Sequence, residues 1–445
     1  MATRLTRLHH VSLRVSNAEK LANDLVSKFK FNLLAARVTG GSRQVAVGKG
    51  AAVFVVNERL EARSNEQEEG VTDRYASDPH LIAAGKSNLD HSTERLYDAG
   101  PRHPVDTVSN VCFEVEDVER SFRELHRHGC RFLVPPTTAE DDHGRVTYSV
   151  LQSVVGNVCH TLIDRTRYKG GFLPGFDALR NDGSLEDEEE EEEEGDASCP
   201  ITHFDHITYA CPRNTTQQVM RWYQKFFGFR RFLINSEEDL EEGFVLNQEG
   251  VSLRLHAMEY WKCSKAGMAL PFADQKEPDC KFVISESLPQ QGSNQISTFL
   301  EKHTAAGIQH IGLYTDDIVS TARAVARAGV QFYSPPSAYY DEVGKQQEIE
   351  EAGHDPRSLA QHGILLDTEL QQDPSSETAA RERRRYLLQV FSKPIFAEDT
   401  FFLELIERRG AEGFGEGNIK ALWRSVQAHM ERGGPQGRIP KSCSP

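Results

Sequence analysis

Three side chains able to bind a transition metal stand on three separate apolar segments in the second half of the chain. His206 lies in FDHITYAC, His310 in GIQHIGLYTDDI and Glu404 in FFLELIER. Two imidazoles and one carboxylate form the facial triad that holds non-heme Fe(II) and leaves three positions for substrate and dioxygen. A single strand histidine is more often a core residue than a ligand. The metal hypothesis therefore depends on where these residues fall in the architecture.

The chain contains an internal repeat that supplies this positional argument. Segment 108–137, VSNVCFEVEDVERSFRELHRHGCRFLVPPT, aligns without a gap with segment 308–337, IQHIGLYTDDIVSTARAVARAGVQFYSPPS. Both patterns predict a strand, an acidic turn, an amphipathic helix, a glycine and a further strand. LHHVSLRV at Leu8 likewise resembles FDHITYAC at Phe204. The chain is therefore two halves, each containing two related units.

The three candidate ligands occupy equivalent points of this repeat. YSVLQSVVGNVCHTLIDR in the first half resembles YLLQVFSKPIFAEDTFFLELIER in the second, which places Thr161 opposite Glu404. The first half thus offers His10, Asn110 and Thr161 where the second offers its two histidines and its glutamate. We predict a metal in the second half and a scaffold without metal in the first.

Four strand–helix–strand units written in tandem predict an α+β fold, in which each pair of units closes its sheet around a cavity. We predict an N-terminal domain without metal over 1–180 and an acidic disordered linker over 181–200. An iron-binding catalytic domain is predicted over 201–435, closed by a C-terminal helix, and a tail over 436–445. The linker prediction follows from GSLEDEEEEEEEGDASCP, a like-charged stretch with almost no apolar residue to bury.

Composition excludes several classes of function. The 445 residues carry a net charge of −16, nine units of which come from 186–194. An acidic balance argues against nucleic acid or an anionic membrane as a partner. The eight cysteines are scattered without a CxxC pair, as is typical of a reducing compartment. No apolar run reaches membrane-spanning length, and there is no secretory signal.

Localisation and assembly are less constrained. The mitochondrion is the predicted location, with which the basic N-terminus agrees through its faint resemblance to an import segment, and the cytoplasm is the alternative. A homodimer is left open.

Longer motifs extend the pattern: YKGGFLPGF at Tyr168, NQIS at Asn294, PPSAYY at Pro335, YLLQVFSKP at Tyr386 and GFGEGNIKALW at Gly413. With these, the chain resembles the 4-hydroxyphenylpyruvate dioxygenase and 4-hydroxymandelate synthase family of the vicinal-oxygen-chelate superfamily. The resemblance covers nearly the whole chain and implies four βαβββ modules in two domains. It also implies Fe(II) on His206, His310 and Glu404. The substrate contacts that it implies are Gln295, Gln309, Gln389, Phe391, Phe402, Phe414, Asn418 and Ile419.

The resemblance further implies oxidative decarboxylation of an aryl 2-oxo acid, 4-hydroxyphenylpyruvate, with O2. Homogentisate-forming members read GNF in the C-terminal motif, whereas this chain has Asn418-Ile419, as the hydroxymandelate synthases do. We therefore predict benzylic hydroxylation to 4-hydroxymandelate, with Ile419 facing the cavity and Asn418 near the helix N-terminus, where asparagine is a favoured cap.

Two alternatives remain open: ring hydroxylation to homogentisate, and a binding or regulatory protein without turnover. The second is kept open by Leu255 and Ser285, which replace a family serine and a family asparagine, and Trp423 replaces a phenylalanine.

Overall fold

The computed structural model describes residues 3, 5–60, 95–178, 199–234, 238–248, 251–259, 280–288, 294–371 and 383–421. The predicted tail, Trp423 and all but the last two residues of the predicted acidic linker lie outside these ranges. The domain boundaries stay predictions. Among the described residues, no helix has the length and apolar character needed to cross a bilayer.

Each half of the chain forms its own nine-stranded sheet. The first sheet has the order β6-β7-β8-β5-β1-β4-β3-β2-β9. Its strands are β1 Leu5–Arg14, β2 Asn32–Val38, β3 Ser42–Lys49, β4 Ala52–Arg59, β5 Thr107–Val115, β6 Phe132–Asp141, β7 Gly144–Gln152, β8 Cys159–Asp164 and β9 Asp177–Ala178.

The second sheet has the order β11-β13-β14-β10-β15-β18-β17-β16, and β12 pairs with β13 beside this path. Its strands are β10 Ile201–Cys211, β11 Arg230–Phe232, β12 Phe244–Gln248, β13 Val251–Glu259, β14 Lys281–Ser287, β15 Gly307–Thr315, β16 Leu365–Gln371, β17 Arg383–Phe391 and β18 Phe402–Arg409.

The helices are α1 Ala18–Ser27, α2 Val118–Arg127, α3 Thr216–Phe227, α4 Gln295–His303, α5 Ile318–Arg327, α6 Ala338–Asp341, α7 Val343–Glu351 and α8 Pro356–His362, and residues 95–97 and 416–421 are also helical. Helices α1, α2, α3 and α5 follow the first strand of their units. Three of the unit helices begin in the same way. Asn17, Asp117 and Asp317 each accept a hydrogen bond from the backbone N–H three residues on, which satisfies an otherwise unpaired donor of the first turn.

The repeat extends to the strand pairing. In both halves the first strand pairs antiparallel with the first strand of the second unit and parallel with the last strand of its own unit. The register shifts between Leu8 and His10 in β1 and between Phe204 and His206 in β10, at equivalent points. The predicted α+β fold of tandem modules is confirmed.

Strand alternation separates a shared core from the interior of each sheet. Ile207 and Tyr209 of β10 belong to a large apolar cluster that also contains residues of the first half, such as Phe54. The rings of Phe54 and Phe204 meet with centres 5.0 Å apart. Because side chains alternate along a strand, His206 lies on the opposite face, away from this cluster. The outer faces therefore hold the two halves together, and His206 faces the interior of the second sheet.

Candidate metal centre

The three predicted ligands meet at the middle of the second sheet. Strand β15 lies between β10 and β18, and Gly312 of β15 is in register with both His206 and Glu404. A methyl group on Gly312 would collide with the imidazole of His206, so the glycine makes room for it. His310 lies two residues earlier on the same strand, on the same face. Sequence positions about a hundred residues apart are thus brought onto one patch.

The distances suit a metal site. His206 Nε2 lies 3.2 Å from Glu404 Oε2, and His310 Nε2 lies 3.8 Å from the same oxygen. The ligand atoms of all three side chains lie within 4.8 Å of one another. The His206 and Glu404 side chains are almost fully buried, whereas 14 % of the His310 side chain is exposed. A cation here would be enclosed on most sides and reachable past His310.

Asp205 and Arg408 fix the orientation of the first imidazole. Asp205 Oδ1 accepts a hydrogen bond from His206 Nδ1 at 2.9 Å, which directs Nε2 to the centre. Arg408 donates to both carboxylate oxygens of Asp205, at 2.6 and 2.8 Å. Burial by itself would raise the pKa of Asp205, but Arg408 and His206 hold it well below its usual range. Asp205 is therefore a fixed anion behind the histidine.

The electrostatics of the cluster call for a cation. Burial opposes a charge on His206, yet Glu404 and Asp205 raise its pKa to about 9. Burial, followed by the neighbouring His206, lowers the pKa of His310 well below its usual range. One proton is thus held between the imidazole and the carboxylate where a metal would bind. Two imidazole nitrogens and one carboxylate oxygen, buried and facing each other, fit the two-histidine, one-carboxylate metal sites.

The predicted glutamines lie at different distances from this cluster. Gln389 Nε2 donates to Glu404 Oε1 at 2.8 Å, and Gln309 Oε1 lies 3.2 Å from His310 Nδ1. Both amides therefore hold a candidate ligand in place. Gln295 is the half-buried first residue of helix α4.

The predicted phenylalanines form apolar walls beside the imidazoles. Phe402 stacks on His310 with ring centres 4.7 Å apart, and Phe391 packs edge-on against Phe402. Phe414 meets the ring of His206 edge-on at 5.4 Å. The open side of the cluster is therefore bordered by aromatic rings.

The C-terminal helix lies against this wall, and its first turn differs in one detail from the prediction. The helix begins at Glu416, after Gly415 with a φ of +67°, so Asn418 is its third residue and does not cap it. Asn418 Nδ2 instead donates to Gln389 Oε1 at 2.9 Å and to the carbonyl of Leu387 at 3.2 Å. The side chain bonds to strand β17 because that strand passes directly beneath the helix. Ile419 packs against the apolar cluster that contains Leu255 and Phe414.

The side chains that hold the C-terminal helix and His206 in place were not predicted from the sequence. Asp367 Oδ2 accepts from Gly417 N at 3.1 Å, and the Glu369 carboxylate accepts from the N–H groups of residues 412 and 413. Asp205 and Arg408 were missed as well. Asp205 directly precedes His206, and Arg408 lies on the same strand face as Glu404, so adjacency and period two were the available signals.

The equivalent place in the first half is built differently. Asn110 Nδ2 donates to Thr161 Oγ1 at 2.6 Å, and Thr161 N donates back to Asn110 Oδ1 at 3.0 Å. An amide–hydroxyl pair closed on itself thus stands where the second half has an imidazole and a carboxylate. Burial lowers the pKa of the remaining His10 to about 3, so it is neutral. The absence of iron from this half stays a prediction.

Comparison with known proteins fits this geometry. The family model of the glyoxalase/bleomycin resistance protein/dioxygenase superfamily matches residues 7–151 and 203–354. The chain belongs to this superfamily. It is 37 % identical to the 4-hydroxyphenylpyruvate dioxygenase-like protein of Rattus norvegicus, over 97 % of this chain and 99 % of that one. The Homo sapiens protein of the same name is also 37 % identical, over the same shares of the two chains.

Two more distant matches carry names from the same dioxygenase group. The 4-hydroxyphenylpyruvate dioxygenase of Yarrowia lipolytica is 28 % identical, over 96 % of this chain and 92 % of that one. A solved structure of a 4-hydroxymandelate synthase variant from Streptomyces coelicolor superposes with a TM-score of 0.64 at 21 % identity, covering 96 % of this chain and 99 % of that chain. That likeness shows the fold, and the predicted membership of this dioxygenase group is confirmed.

Proposed function

We propose that the chain is an Fe(II)-dependent dioxygenase that oxidatively decarboxylates 4-hydroxyphenylpyruvate and releases 4-hydroxymandelate. The observation that carries the proposal is the convergence of His206, His310 and Glu404 on the inner face of the second sheet. The names of the relatives support the substrate, an aryl 2-oxo acid consumed with O2. His206, His310 and Glu404 would hold the iron.

When bound, iron would supply the open positions at which a 2-oxo acid and dioxygen are brought together. The protein contributes orientation. Asp205 keeps the proton of His206 on Nδ1, and Gln309 restrains the ring of His310. Gln389 holds one oxygen of Glu404, which leaves the other directed at the histidines. These contacts fix the donor atoms before any ligand arrives.

The chain's apolar residues keep water from the reacting ring. Phe402 and Phe414 flank the two imidazoles, and Ile419 and Leu255 share the apolar cluster of Phe414. In a wall of this composition the aryl ring is held by shape more than by hydrogen bonds. Ser285 donates its hydroxyl to the carbonyl of Tyr209 at 2.7 Å, so that proton is already engaged.

The choice of product is assigned to position 419. The branched side chain of Ile419 leaves space beside the substrate's side chain that a flat phenyl ring would fill. A shift of the substrate ring by roughly an ångström decides which carbon is attacked, because the oxidant is the same for both products. We therefore expect attack at the benzylic carbon and not on the ring.

The activity is tested by loading the full chain with Fe(II) under anaerobic conditions, adding 4-hydroxyphenylpyruvate, and then admitting O2. We expect 4-hydroxymandelate by mass spectrometry, with one atom from ¹⁸O2 in the new hydroxyl and one in the carboxylate. His310→Ala should bind no iron and form no product. Folded, iron-loaded protein without oxygen uptake would reject the dioxygenase; homogentisate as the product would reject the role of Ile419.

Position 419 is tested by Ile419→Phe. We expect the product to shift toward ring-hydroxylated species, or oxygen use to become uncoupled from product, because the larger ring moves the substrate. Overpacking costs about 1–3 kcal/mol of stability, so rates are compared at equal folded fraction. Val319→Phe, on helix α5 and away from the cluster, is the matched control. An unchanged product ratio in Ile419→Phe would remove this residue from the choice of product.

A further inference from the structure

A second group of metal-binding side chains lies in the first half. Strand β1 changes register against β5 between Leu8 and His10, and this bulge brings the imidazoles of the consecutive residues His9 and His10 together. Their Nδ1 atoms are 2.7 Å apart. Cys112 of β5 is the register partner of His10. The ligand atoms of the three side chains lie within 4.8 Å of one another.

These three residues are buried and have no catalytic task in the proposed function. His9 and His10 are 8 % and 2 % exposed, and Cys112 is fully buried as a free thiol. Phe172 packs against both imidazoles, with ring centres 5.6 and 5.9 Å away. Two imidazoles and a thiol directed at one another inside a sheet are unusual for a core that needs only packing, because each polar atom must find a partner.

The repeat shows how this group relates to the candidate iron centre. His9 aligns with Asp205, Cys112 with Gly312 and Arg165 with Arg408. In the second half these positions support His206. Asp205 is an anion held by Arg408, and Gly312 leaves space for the imidazole. In the first half two of them carry metal-binding side chains instead. The third, Arg165, places Nη1 3.3 Å from His9 Nε2, as Arg408 contacts Asp205.

The sulfur donor decides which metal fits. The candidate iron centre offers nitrogen and oxygen, whereas this group offers two nitrogens and a sulfur, a set that prefers Zn²⁺ or Cu⁺ to Fe²⁺. Zinc bonds of about 2.0–2.1 Å to nitrogen and about 2.3 Å to sulfur place tetrahedral ligand atoms roughly 3.3–3.7 Å apart. The 2.7 Å contact between the two Nδ1 atoms must therefore open slightly, whereas ligand atoms up to 4.8 Å apart must approach by at most about an ångström.

We propose that His9, His10 and Cys112 form a Zn²⁺ site in the N-terminal half, separate from the iron centre. Binding releases the proton of the Cys112 thiol to solvent. Because Arg165 Nη1 donates to His9 Nε2, the proton between the two Nδ1 atoms belongs to His9. On binding it moves to His9 Nε2, which must exchange Arg165 for Glu114 Oε1, now 3.8 Å away, as the acceptor of that N–H. The fourth position is open to water.

The test uses Co²⁺ as a probe on the full chain, stripped of metal with a chelator. A thiolate bound to Co²⁺ gives a charge-transfer band in the near ultraviolet. The candidate iron ligands include no sulfur, so the band does not come from the candidate iron centre. We expect the band in the wild type and in His310→Ala, and its loss when Zn²⁺ is added. Cys112→Ser should lack the band, and Cys130→Ser, which changes another buried cysteine of the first half, should keep it.

Affinity gives the second measurement. Competition with a zinc indicator should show that Cys112→Ser binds Zn²⁺ at the proposed site more than about 100-fold more weakly than the wild type. Loss of a residue that only supports a ligand already lowers metal affinity by about 10–100-fold. Thermal unfolding of metal-free protein checks the fold, and His9→Gln replaces Cys112→Ser if the latter does not fold. No band in the wild type, or a band that persists in the folded Cys112 or His9 variant, would overturn the proposal.

Discussion

At the scale of single residues, the candidate iron centre depends on a charge pair that does not itself bind the metal. Arg408 binds both oxygens of Asp205, and Asp205 binds Nδ1 of His206. A carboxylate behind a metal-binding histidine fixes its tautomer and raises its basicity. The pair thus converts a strand histidine, which elsewhere would be a packing residue, into a directed donor.

Asp205→Asn tests this role. The amide keeps an oxygen beside His206 Nδ1 but removes the charge, so we expect metal affinity at the His206 centre to fall by about 10–100-fold. Competition titration with Fe(II) or Co(II) measures the effect. Asp399→Asn, which removes an exposed acid paired with Lys302, is the control and should bind as the wild type does. Equal affinity in the folded Asp205 variant would show that the pair serves stability alone.

At the scale of elements, strand β16 holds the Gly-rich turn and the helix that covers the wall of the site. Asp367 accepts from the N–H of Gly417 in the first helical turn, and Glu369 accepts from two N–H groups of the turn before it. These carboxylates perform the capping that was predicted for Asn418. Because they come from a separate strand, they attach the helix to the sheet and do not merely start it.

Asp367 gives a pH-dependent prediction. Burial raises its pKa to about 6, so the folded chain holds this proton more tightly than the unfolded chain. Stability from this group is therefore greatest below about pH 4 and falls as pH rises toward 6. Asp367→Asn keeps an oxygen for Gly417 N and removes the buried charge. We expect it to be more stable than the wild type at pH 7, by at most about 3 kcal/mol.

Urea unfolding at pH 7 and pH 4 measures this difference. The gain at pH 7 should shrink at pH 4, where the wild-type carboxyl is protonated. A destabilised variant at pH 7 would mean that the charge on Asp367 contributes more through the helix N-terminus than it loses by burial.

At the scale of the whole molecule, the two halves are joined by polar contacts as well as by the shared core. His160 of β8 lies 2.8 Å from the hydroxyl of Tyr223 in helix α3, and Tyr223 contacts Tyr209 at 2.9 Å. Elsewhere Thr107 Oγ1 lies 2.7 Å from Nε2 of His303. Both histidines connect one sheet to elements of the other half.

These contacts make the assembly sensitive to acid. Burial lowers the pKa values of His160 and His303 to about 4. In the unfolded chain these histidines bind protons near pH 6.5. Their contribution to the free energy of unfolding is therefore fully present above that pH and is lost as the pH falls from 6.5 to 4, by at most about 3 kcal/mol for each histidine. His160→Gln should lower stability at pH 7 but flatten this decline. Unfolding by urea between pH 4 and 8 measures it, and an equally steep decline in the variant would exclude His160 as a cause.

The repeat, the α+β fold and the residues that meet at the candidate metal centre could all be predicted from the amino-acid sequence. These were accessible because strand and helix periods are local, and because a repeat fixes which distant positions are equivalent. Comparing His310 with Asn110 and Glu404 with Thr161 was enough to predict that the second half, and not the first, carries the iron ligands.

The surroundings of those residues became known only from the folded chain. The pairing of Asp205 with Arg408, the bonds of Gln389 to both Glu404 and Asn418, and the meeting of His9 with Cys112 all join separate strands or elements. Each depends on register, and a bulge of one residue changes which side chains share a face. The periodicity of one segment does not predict such a register shift, because the shift depends on the paired strand, which lies far away in the sequence.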